Sequence, residues 1–129
     1  MGRTKKELNL IYEIIKFQKF LKEKYNFDWD NIFGVIDKLK EETIELENAL
    51  NLGKKDEIED EFGDILITIV NLSRFLNLDL IETLNKSYIK FKKRILNMEK
   101  NAEKEKINLK DLNISELDKL WEKTKKDST

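Results

Sequence analysis

No proline interrupts this chain, and only four glycines do. Proline breaks a helix by removing an amide donor and clashing one turn back, while glycine weakens it by about 1 kcal/mol relative to alanine. With both nearly absent and Leu, Ile, Lys and Glu prevailing, almost nothing in the 129 residues stops helix formation. The expected fold class is all-α. By length, residues 1–129 form one domain that can bury roughly two thirds of its surface.

Apolar periodicity and start or stop residues divide the chain into four helices and a tail. The first, about 5–24, carries Leu8, Ile11, Tyr12, Ile15, Phe17 and Leu21 at helical spacing. It runs into YNFDWDN (25–31), an aromatic connector expected to pack down on the bundle. The second helix, about 31–51, stops at Gly53, which can take the left-handed cap conformation. Asp56 with Glu59, and Asp79 with Glu82, give capping-box starts for a third helix to about 76 and a fourth to about 104. The charged EKNAEKEK (99–106) reads as frayed helix or linker, and Ser115 with Asp118 opens a short last helix bearing Leu117, Leu120 and Trp121. Short connections between long helices imply an antiparallel four-helix bundle (about 5–104) with a C-terminal tail (105–129).

Composition narrows the chemistry. Without Cys there is no disulfide or thiol nucleophile, and without His the commonest general base and transition-metal ligand are gone. Carboxylates, Lys, Arg, hydroxyls or a hard cation held by oxygen remain. A net charge of -1 gives no nucleic-acid footprint, and the apolar run ILITIV (65–70) is too short to span a bilayer. MGRTKK has neither a signal-peptide core nor a myristoylation pattern, so the expectation is a cytoplasmic protein with no membrane partner.

Two acid pairs break the pattern of ordinary amphipathic helices. Val35, Leu39, Leu46 and Ala49 form an apolar row whose missing position is Glu42, with Glu41 and Glu45 beside it. Like charges at these spacings repel, so something positive is expected there. In the third helix, Glu57, Glu61, Asp64, Thr68 and Asn71 form a polar stripe through a segment apolar nearly all round from Ile65 to Leu72. Gly63 within it suggests close approach of a neighbouring backbone. If helices two and three pack antiparallel, Glu42, Glu45, Glu61 and Asp64 face one another, a donor set suited to a hard divalent cation with oxygen ligands. Magnesium keeps some of its waters and engages phosphate, which favours a nucleotide substrate. The competing account of either pair is a solvated helix face.

EETIE (41–45), followed sixteen residues after its last Glu by EFGD (61–64), resembles the E-E-x-x-E … E-x-x-D signature of MazG-type nucleoside triphosphate pyrophosphohydrolases. The similarity extends over about 25–96, through the Phe-Asp-Trp connector and NKSYIKFKKR (85–94), and Trp121 falls where the family carries a tail Trp. The resemblance implies Glu42, Glu45, Glu61 and Asp64 as ligands of magnesium, with manganese as the alternative. Lys38, Lys90 and Arg94 would bind the triphosphate and Trp121 the nucleotide. Glu41, with Glu42, would be catalytic, Glu41 by orienting or deprotonating the attacking water. Asn71 would hydrogen-bond the nucleotide or simply satisfy backbone, and Trp29 would line the base pocket or pack as a core aromatic.

The implied reaction yields a nucleoside monophosphate and pyrophosphate, in nucleotide-pool clean-up. A dUTPase-like, dCTPase-like or phosphoribosyl-ATP-specific member of the same superfamily is the alternative, and a non-catalytic helical interaction module the alternative of another class. Many family members carry two tandem domains where this chain matches one. Relatives assemble as dimers, so a homodimer is expected, with a tetramer of paired dimers as the alternative.

Overall fold

The computed structural model describes residues 5–127, and the side chains of 10–126. Leu8 and the start of MGRTKK lie outside the described side chains. Among the described residues there are five α-helices and no strand: α1 (Lys5–Tyr25), α2 (Ile32–Leu52), α3 (Lys55–Leu76), α4 (Leu80–Lys104) and α5 (Ile114–Asp127). The 3-10 turn Leu109–Asp111 precedes the last. The chain is all-α as expected, and its helix limits fall within a residue or two of the sequence reading.

The caps differ more than the lengths. Gly53 closes α2 at φ 68, as expected, and its amide reaches back to Ala49 and Leu50. Asn77 closes α3 in the same left-handed region at φ 56, a conformation its short polar side chain tolerates. The start of α3 is not the expected Asp56 box: the cap is Lys54, which makes no side-chain cap bond. The last helix opens two residues earlier than Ser115 and Asp118 suggest. Asn113 Oδ1 accepts from the Glu116 amide at 2.8 Å while Glu116 Oε1 accepts from the Asn113 amide at 3.1 Å, a reciprocal capping box.

Residues to Leu80 form one compact unit and those from Ile81 a second. In the first, α3 packs against both α2 and α1, and the two-residue link between α2 and α3 makes them a helical hairpin. Buried here are Val35, Ala49 and Val70, with Glu42, Thr68 and Ser73 among them. Phe62, Leu66 and Ile67 are exposed, so α3 is less enclosed than its all-round apolar sequence implies. A Cβ added at Gly63 would meet nothing within 4 Å, which corrects the expected close backbone approach. The tight glycine is Gly34, where a Cβ would come within 2.9 Å of the Trp29 ring.

The connector also differs from expectation. Phe27 and Trp29 are exposed, and the residue it sends inward is Asp28, whose side chain is 7% exposed.

In the second unit α5 folds back on α4. The Phe91 and Trp121 ring centroids lie 5.2 Å apart, and Met98, Ala102 and Thr124 are buried. Helix α4 continues through Ala102 to Lys104, so most of the charged stretch is regular helix rather than fray.

Candidate active site

The row along one face of α2 explains where its acids stand. Val35, Glu42 and Ala49, spaced by seven, point to the same side, and all three are buried. Glu42 is 4% exposed. A carboxylate at such a position is tolerated only with a countercharge and hydrogen bonds. Lys38, one turn earlier, supplies one: its Nζ lies 2.9 Å from Glu42 Oε1 and 3.8 Å from Glu41 Oε1. That lysine holds the Glu42 carboxyl below the usual carboxylate range, and Glu42 in turn raises the ammonium.

The α2–α3 hairpin brings a third acid to the pair. One carboxylate oxygen each from Glu42, Glu45 and Glu61 lies within 4.8 Å of the others. Burial, and then the neighbouring Glu45 and Glu42 carboxylates, push the Glu61 carboxyl up to about 7. Glu42 Oε2 and Glu61 Oε2 are both closed off from solvent without a hydrogen-bond partner. Unsatisfied buried oxygens are rare in folded proteins and ask for an external partner. The set fits a hard cation on both counts. Its donors are all carboxylate oxygens, as a hard cation prefers, and one from each residue lies within 4.8 Å of the others.

Asp64 stands outside this trio, exposed one turn further along α3. Glu41 is likewise exposed beside Lys38. Lys90, Arg94 and Trp121 belong to the second unit, where Lys90 is exposed, Trp121 is half-buried against Phe91, and Arg94 Nε is buried without a partner.

A cavity of about 310 Å³ in the first unit shares Lys38 with the acid cluster. Asn71, Thr68 and Trp29 line it, together with Gln18, Asp28 and Arg74. Arg74 Nη2 lies 2.8 Å from Asp28 Oδ1, and both side chains are almost wholly buried. Arg74 also donates to Asn71 Oδ1, from Nε at 3.0 Å and from Nη2 at 2.7 Å. The sequence reading placed Asn71 at the end of its polar stripe and missed Arg74 and Asp28. A signal existed: the stripe, extended by one more step of three, lands on Arg74.

Comparison with known families decides what this arrangement belongs to. A model described as the MazG nucleotide pyrophosphohydrolase domain matches residues 31–98, more than half of the chain and all of both acid pairs. The chain belongs to the MazG family. This MazG domain is 41% identical over 124 residues to the nucleoside triphosphate pyrophosphohydrolase/pyrophosphatase MazG of Thermotoga maritima, covering 92% of the chain and 47% of that relative. It is 27% identical over 117 residues to the nucleoside triphosphate pyrophosphohydrolase of Escherichia coli, covering 88% of the chain and 44% of the relative. It is 38% identical over 65 residues to the uncharacterized protein YabN of Bacillus subtilis, covering 50% of the chain and 13% of the relative. The chain thus spans about half the length of the two named pyrophosphohydrolases. Among the described residues of this MazG domain, no helix is long and apolar enough to cross a membrane.

Proposed function

We infer that this MazG domain hydrolyses nucleoside triphosphates between the α and β phosphates, releasing the monophosphate and pyrophosphate, with a divalent cation at Glu42, Glu45 and Glu61. The observation that carries the reading is the convergence of these three carboxylates with two of their oxygens buried and unpartnered. The printed names of the Thermotoga and Escherichia relatives support the same chemistry. Magnesium suits the all-oxygen donor set, with manganese as the alternative, and Asp64 is the fourth ligand once its exposed side chain turns.

When bound, such an ion supplies positive charge that draws on phosphate oxygens and acidifies water in the site. The chain's own residues do the rest. Lys38, 2.9 Å from Glu42 Oε1, would turn its ammonium to phosphate if Glu42 served a cation instead. Lys90 and Arg94 offset charge on the phosphate oxygens, Arg94 with a planar donor fork whose Nε is otherwise unpartnered. Glu41, at the solvent edge beside Lys38, orients the attacking water and accepts its proton. Asn71 lies along the cavity next to the acids, and Trp121 holds the nucleotide.

The architecture that goes with this function is an antiparallel four-helix bundle with α5 as tail, assembled as a homodimer in the cytoplasm and serving nucleotide-pool clean-up. The thin core supports the dimer. Among the described residues only Val35, Ala49, Val70, Met98 and Ala102 are buried apolar side chains, while Phe62, Leu66, Tyr88 and Phe91 are exposed.

A second reading has one observation in its favour. The 2.9 Å pair of Lys38 with Glu42 satisfies part of the cluster without any ion, as a non-catalytic helical module would. Product analysis separates the two. Incubation with triphosphates in magnesium should yield monophosphate and pyrophosphate, and none in EDTA. Diphosphate with inorganic phosphate, or no turnover, contradicts the hydrolytic reading.

A further inference from the structure

Gln18 Oε1 and Asp28 Oδ2 are both buried without a hydrogen-bond partner, and both residues line the cavity beside the acids. Asp28 is held at its other oxygen only, by Arg74 at 2.8 Å and by the Trp29 amide at 2.9 Å. Arg74 also fixes Asn71. A guanidinium has donors and no acceptor, so the Asn71 oxygen must face Arg74, and its NH₂ is the end left to serve something else. Gln18, Asp28 and Asn71 therefore offer two acceptors and one donor beside the Lys38 and Arg74 cations. Trp29 adds an aromatic face, and a cavity of about 310 Å³ is at the small end of ligand pockets, roughly 300–1,000 Å³.

We propose that this cavity reads the nucleobase and is built for a guanine edge, with Asp28 and Gln18 as its specificity-determining residues. Guanine alone among the common bases presents N–H donors on two different atoms, N1 and the 2-amino group, beside the O6 acceptor. Asp28 and Gln18 take the donors and Asn71 meets O6. Uracil and thymine carry one N–H between two carbonyl oxygens, which an anionic Asp28 repels. Adenine and cytosine have one amino group beside a ring acceptor and leave one wall oxygen unsatisfied.

The proposal rests on the triphosphate-hydrolysing reading above, and the test keeps the two apart. GTP and ITP differ only in the 2-amino group, so kcat/KM for pyrophosphate release should favour GTP at least tenfold. Gln18→Leu and Asp28→Asn should each lower the GTP-to-ATP ratio of kcat/KM by roughly tenfold, because only GTP uses both acceptors. Asp28→Asn also loosens Arg74, so if that variant fails to fold, Gln18→Leu carries the test. Equal rates on GTP and ITP, or equal losses on GTP and ATP in the variants, overturn the guanine proposal while leaving hydrolysis in place. If no triphosphate is turned over, the hydrolytic reading fails instead, and calorimetric titration with GMP and IMP decides the cavity. Tighter GMP binding supports it, and equal or absent binding overturns it.

Discussion

Glu42 and Glu61 are the same residue type a few ångströms apart, yet their environments push them in opposite directions. Lys38 holds Glu42 ionised, whereas burial and two neighbouring acids keep Glu61 protonated up to about pH 7. The pH dependence of stability in EDTA follows. Because the Glu61 carboxyl is raised from 4.5 to about 7, the folded state holds a proton that the unfolded state has lost in that range. Stability in EDTA should therefore be highest from this group below 4.5 and fall as pH rises through about 7. Glu61→Gln should flatten that slope and melt at an equal or higher temperature at pH 8. Glu42→Gln should behave otherwise, costing about 1–2 kcal/mol as Lys38 loses its charge-assisted hydrogen bond. Melting both variants in EDTA from pH 5 to 8 checks the contrast. An unchanged slope in Glu61→Gln would remove Glu61 from the cluster.

Element by element, the helices were legible because their signals are local: no proline, apolar spacing, and Gly53 at a turn. Glu42 was legible for the same reason, being one polar residue in an apolar row. What the sequence hid depends on contacts between distant residues. Asp28 sits in a connector whose aromatics draw the eye, and its burial follows from Arg74, forty-six residues away. Lys38 was read as a phosphate ligand, and its 2.9 Å ion pair with Glu42 was not anticipated. The two helical glycines make the same point. Gly34→Ala should destabilise by about 1–3 kcal/mol through the Trp29 ring, whereas Gly63→Ala faces open space and should stabilise by up to about 1 kcal/mol. A loss at Gly63→Ala would mean that another subunit packs there. On α4, Lys90→Ala and Arg94→Ala should each weaken triphosphate binding by roughly 1–3 kcal/mol while sparing any metal-induced rise in melting temperature. Unchanged KM in both would remove Lys90 and Arg94 from triphosphate binding.

At the scale of the whole molecule, the small core and exposed aromatic residues predict association. Sedimentation at micromolar concentration should give a dimer, and a monomer down the whole range would leave the exposed apolar surface without a reason. The proposed hydrolysis depends on whether the acids between α2 and α3 hold an ion. The most direct measurement is melting of the wild type, Glu61→Gln and Asp64→Asn in EDTA and in saturating magnesium, with pyrophosphate release assayed on the same samples. A cation site predicts that magnesium raises the melting temperature of the wild type alone, and that both variants fold in EDTA yet release little pyrophosphate. Identical wild-type curves in EDTA and magnesium, with activity retained in the folded variants, would contradict the account and leave Lys38 as the only cation those acids were placed to meet.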